Sequence, residues 1–72
     1  MSSRDKFIEL AEKRMTKVLK DMQLIGNLSN KRNYKYSDDD YKKIILALEG
    51  AVRTVKKKFE ENSSEEKIEF KL

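Results

Sequence analysis

The chain has 72 residues, carries 17 Lys+Arg against 13 Asp+Glu for a net charge of +4, and contains no Cys, His, Pro or Trp. A chain of this size makes one small domain, here residues 1–72, that buries only about 60% of its unfolded surface. The missing side chains exclude disulfides, Cys or His nucleophilic pairs, and thiolate or imidazole metal sites, which leaves carboxylate oxygen as the one hard-metal ligand type. No apolar run approaches the roughly 18 residues of a membrane span and no signal-peptide pattern is present, so a cytoplasmic protein with no membrane partner is expected.

In residues 3–25, Ile8, Ala11, Met15, Val18, Met22 and Ile25 recur at alternating steps of three and four, and Phe7 and Leu19 widen the stripe. That period predicts an amphipathic helix. Ser2 or Ser3 is expected to cap its start, and Gly26 to end it as a left-handed residue. Lys13, Lys17 and Lys20 share its opposite face. Such a face can meet phosphate, but a solvated surface is the commoner outcome.

Residues 26–37 form a polar connector with three basic and no acidic side chains. Residues 38–62 are charge-neutral by contrast, with six of each sign. Ser37 ahead of Asp38, Asp39 and Asp40 predicts a capping box closed by Asp40, with Tyr36 and Tyr41 placed for a hydrophobic staple. The three carboxylates sit against the positive end of the helix dipole. Capping explains them without a metal ion.

The second helix is predicted over 38–61, with Tyr41, Ile45, Leu48, Val52, Val55 and Phe59 on its stripe, Ile44 and Ala51 beside them, and Asn62 as terminator. Lys56, Lys57 and Lys58 then lie near its negative C-terminal end. In the tail, 63–72, Ile68, Phe70 and Leu72 alternate with Glu69 and Lys71, the pattern of a short strand or of a frayed end.

An all-α protein follows, a two-helix antiparallel hairpin. One hairpin covers two full stripes poorly, so a homodimer or higher assembly, such as a four-helix bundle, is expected through Ile8, Met15, Met22, Ile45, Leu48, Val52, Val55 and Phe59. Leu46, Ala47, Gly50 and Thr54 suggest a second interface, where small side chains let helices approach closely. A tolerated surface glycine beside one exposed leucine accounts for the same residues.

The connector concentrates polar donors. Asn27, Ser29, Asn30, Lys31, Arg32, Asn33, Tyr34 and Lys35 are the candidate ligand-binding residues. Arg pairs bidentately with phosphate, amides read base edges and tyrosines stack on bases, which suits nucleic acid or a nucleotide. Asn, Ser and Gly are also ordinary turn residues that bond their own backbone. No acid or base is placed beside a pocket, so no enzyme is expected, and no cofactor.

Ile25, Gly26, Asn27, Leu28, Ser29 and Asn30, followed by Asn33, Tyr34, Tyr36 and Ser37, resemble a segment of small helical proteins encoded by bacterial phages and plasmids, the likeness covering about residues 7–59. The resemblance implies an accessory protein of a mobile element in a bacterial host. It carries no activity and no site residues. Three function classes stand: a non-enzymatic module binding nucleic acid or nucleotide through the connector, one version being counter-defence by sequestering a nucleotide signal; an inhibitor or adaptor docking helix faces on a host protein; and an assembly helper.

Overall fold

The computed structural model describes residues 2–67, with side-chain surroundings for 2–63. Two helices account for most of them: α1, Ser3–Asn27, and α2, Asp38–Lys67. The fold is all-α, as the two apolar periodicities predict, and no strand occurs among the described residues. The chain divides into two units, Met1–Lys35 and Tyr36–Leu72, each holding one helix.

Ser2 is the cap that starts α1. Its extended backbone (φ −75°, ψ 164°) turns Oγ onto the backbone N–H of Asp5, which donates to it at 3.0 Å. Arg4 adds its guanidinium over the Phe7 ring, 5.6 Å from the centroid, a cation–π contact at the first turn.

The far end of α1 departs from expectation. Gly26 is helical and not left-handed, and no residue described has a positive φ. Leu28, Ser29 and Asn30 donate their backbone N–H groups to the carbonyls of Ile25, Gly26 and Asn27 at 3.0, 3.1 and 3.4 Å. These bonds reach back three residues instead of four, so the last turn tightens and satisfies its own carbonyls without a left-handed residue. The predicted end at residue 25 therefore moves to Asn27.

The predicted end of α2 moves further. Asn62 does not terminate the helix, which continues to Lys67, so the first part of the predicted tail is helical. Asn62 Nδ2 donates to the Lys58 carbonyl at 2.8 Å and Ser63 Oγ to the Phe59 carbonyl at 2.9 Å. Both polar side chains thus bond back along the helix instead of ending it. Lys56 and Lys57 consequently lie inside α2, facing Glu60 and Glu61 one turn on at 3.8 and 3.9 Å. The short strand or frayed end expected of Ile68, Phe70 and Leu72 falls outside the described residues.

None of residues 2–63 is buried. Large apolar side chains of both stripes stay exposed, from 38% at Ile8 and Ile44 to 62% at Val52. Leu10, Ala11, Ile25, Tyr36, Leu48 and Gly50 are half-buried.

Candidate functional site

Helix α1 ends at Asn27 and α2 begins at Asp38, so the connector proper is residues 28–37. Asn27, predicted as a connector ligand residue, is therefore the last residue of α1.

Asn30 organises the turn that follows. Its Oδ1 accepts the backbone N–H of Arg32 at 3.0 Å. Its carbonyl accepts the N–H groups of Asn33 and Tyr34 at 3.1 and 3.0 Å. A short amide side chain that mimics a backbone turn is the physical reason Asn suits this place. Asn30 is thus engaged in the turn through both its side-chain and main-chain oxygens, and its part in ligand binding becomes one of shaping the segment.

Around that turn, Ser29, Lys31, Arg32, Asn33, Tyr34 and Lys35 are all exposed. Tyr34 shows 48% of its surface, while Tyr36 is half-buried. The three cations fall within five consecutive residues that contain no carboxylate. Such a segment attracts phosphate by Coulomb interaction, and an exposed tyrosine offers a flat face to a base.

The other sequence candidates separate. Lys17 Nζ donates to Asp21 Oδ2 at 2.9 Å. That hydrogen bond and the Asp21 charge raise the Lys17 pKa above the usual lysine value. One of the three lysines on the outer face of α1 is accordingly paired within its own helix. Asp40 Oδ2 accepts the Ser37 backbone N–H at 2.8 Å, so that carboxylate serves the α2 start. No group of three acidic residues among those described is placed to hold a metal ion.

On α2, Leu46 is 63% exposed. Thr54 Oγ1 donates to the Gly50 carbonyl at 3.0 Å. A Cβ at Gly50 would meet only Arg53 Nη2, at an ordinary 3.8 Å. Nothing in the chain itself requires a glycine there. A shallow open depression runs along α1 beside Asp5, Ile8, Glu9, Glu12, Lys13 and Thr16; its walls come from one helix, so it lacks the concave enclosure of a ligand pocket.

Neither helix, over the described residues, is long and apolar enough to cross a membrane. Comparison with protein-family models, with curated proteins and with solved structures finds no match to this chain.

Proposed function

We propose that this chain is a non-enzymatic accessory module that holds a phosphate-bearing, base-containing ligand, a single-stranded nucleic acid or a nucleotide, on its connector. The observation that carries the reading is the turn set by Asn30: Lys31, Arg32 and Tyr34 stand exposed on a backbone held by Asn30's hydrogen bonds, with the exposed Lys35 directly after it. Charge for phosphate and a stacking face for the base are then held by an already folded segment, which lowers the ordering cost of binding. The place in a phage or plasmid rests on the resemblance of this same segment, which carries no activity, and counter-defence by sequestering a nucleotide signal is one version of the binding role.

Leu46, 63% exposed on α2, favours a second reading, in which α2 docks on a host protein through the side that carries it.

Binding of a fluorescent single-stranded oligonucleotide, and of a labelled nucleotide, tests the first reading. Lys31→Gln/Arg32→Gln/Lys35→Gln should keep its helicity and lose affinity for both probes. Wild-type affinity for the oligonucleotide should fall with salt at about 0.7 log unit per neutralised phosphate, a slope of about −2 for three cations. Asn30→Ala keeps all three charges but removes the acceptor for the Arg32 N–H, and should weaken binding by a smaller factor. Equal affinity in wild type and the triple variant would refute the reading.

A further inference from the structure

The positive charge of this chain is concentrated in one stretch. Residues 13–37 hold seven basic side chains and one carboxylate, Asp21, whereas the rest of the chain holds ten basic and twelve acidic side chains. The excess begins halfway along α1 and runs through the basic turn of the connector, and both belong to the unit Met1–Lys35. Before Lys13 there is none, because Arg4 and Lys6 are outnumbered by Asp5, Glu9 and Glu12.

Helical geometry sorts these cations. At about 100° per residue, Lys13, Lys17 and Lys20 lie within about 60° of one another on the side opposite the apolar stripe, while Arg14 falls at the stripe's edge. Lys13 and Lys20 are exposed. Lys17 bonds Asp21 at 2.9 Å, which engages the single carboxylate of the stretch. Leu24, 56% exposed, and Asn27 continue the same side toward the connector and add no charge. The N–H groups of Leu28, Ser29 and Asn30 bond back onto the end of α1, so the turn that carries Lys31 and Arg32 follows the helix directly.

The length of this basic track selects between the two ligands that suit the connector. The rise of α1 places Lys20 about 10 Å and Lys13 about 20 Å from the helix end at Asn27. One nucleotide stacked on Tyr34 leaves both lysines without a phosphate. A stacked strand advances about 3.4 Å per nucleotide, so about six nucleotides bring phosphates from the connector to Lys13. Exposure agrees with a strand: Ser29 to Lys35 form an open surface, whereas a small ligand is held by burying most of it in a concave site.

We propose that the ligand is a nucleic-acid single strand of about six nucleotides or more, held by the connector at one end and along its backbone by Lys20 and Lys13 on the outer face of α1. This deepens the connector reading and rests on it.

Fluorescence anisotropy of the full chain with thymidine oligonucleotides of two to twelve nucleotides, and with thymidine monophosphate as competitor, tests it. Affinity should rise steeply up to about six nucleotides and little beyond. With the twelve-mer the salt slope should be about −3.5, for Lys13, Lys20, Lys31, Arg32 and Lys35, in place of the about −2 that the three connector cations give alone. Lys13→Gln/Lys20→Gln should keep its helicity by circular dichroism and return the slope to about −2. Lys56→Gln/Lys57→Gln removes the same charge from α2 and should leave the slope unchanged. An unaltered slope in Lys13→Gln/Lys20→Gln, while Lys31→Gln/Arg32→Gln/Lys35→Gln loses binding, overturns the track and leaves the connector reading standing. An equal fall in the α2 variant overturns it as well, because net charge and not the α1 face then sets affinity. So does equal affinity for the monophosphate and the twelve-mer, which assigns the connector to a nucleotide, or displacement of the strand by polyglutamate at equal charge, which assigns the face to an acidic protein. No oligonucleotide binding by the wild type overturns both this proposal and the strand version of the connector reading.

Discussion

Ser37 and Asp40 exchange hydrogen bonds at the start of α2: the Ser37 backbone N–H donates to Asp40 Oδ2 at 2.8 Å, and the Asp40 N–H donates to Ser37 Oγ at 3.2 Å. This is a capping box in which Asp takes the place more often held by Glu. Asp38 and Asp39 add negative charge to the same turn, where the helix dipole is positive. Ser37→Ala should therefore destabilise the folded protein by about 0.5–2 kcal/mol. Asp40→Ala should do likewise, and the double variant should cost less than the two single losses added, because the residues act as one unit. Urea melts of the four proteins read this directly. Additive losses would mean that the two bonds act independently.

Gly26 offers a test with opposite signs for two local geometries. A left-handed residue at a helix end tolerates Gly far better than Ala, so Gly26→Ala would destabilise such an end. Here Gly26 is helical, with nothing within 4 Å of where a Cβ would stand. Gly26→Ala should raise stability, by up to about 1 kcal/mol. Thermal melts of the two proteins decide the sign.

The two ends of α1 show what was legible in the sequence and why. The Ser37–Asp40 box is readable because capping depends on side chains at fixed spacing, within one turn, whereas two adjacent serines leave the α1 cap open between Ser2 and Ser3 until the structure shows Ser2 in place. Both helices were readable because their apolar stripes repeat over several turns. The end of α1 lies at Asn27 and not at the residue before Gly26 because two geometries satisfy the last carbonyls, and a glycine is compatible with each. Asn62 is ambiguous in the sequence for a similar reason: Asn favours ends, but here its amide reaches the Lys58 carbonyl and leaves the helix unbroken. In the connector, the cations and tyrosines were visible as composition, whereas the task of Asn30 depends on backbone angles that composition does not set.

The Lys17–Asp21 pair gives a pH dependence. Asp21 raises the Lys17 pKa, through their hydrogen bond first and their charge attraction second. With the folded value above the unfolded one, the contribution of the pair is complete below the usual lysine pKa and is lost as pH rises through the raised value. Both side chains are exposed, so the effect is small and screened by salt. Asp21→Asn should lower α1 helicity slightly at neutral pH and low salt. It should also narrow the difference between neutral and strongly alkaline pH. Circular dichroism at two ionic strengths measures both effects.

Gly50 separates the two readings of α2. A glycine inside a helix costs about 1 kcal/mol relative to alanine. In this chain an added Cβ meets only the end of the flexible Arg53 side chain, at 3.8 Å. If the strip of Ala47, Gly50 and Thr54 faces solvent, Gly50→Ala should stabilise the protein by about that amount and Gly50→Leu should be well tolerated, with oligonucleotide binding unchanged. If the strip is a close helix crossing with a host protein, Gly50→Leu should keep the fold and lose that partner, while the connector variant Lys31→Gln/Arg32→Gln/Lys35→Gln keeps it. Melting the Gly50 variants alongside a binding assay for each reading distinguishes them. Loss of oligonucleotide affinity in a folded Gly50→Leu protein contradicts both, because neither reading links α2's small-residue strip to the connector's ligand.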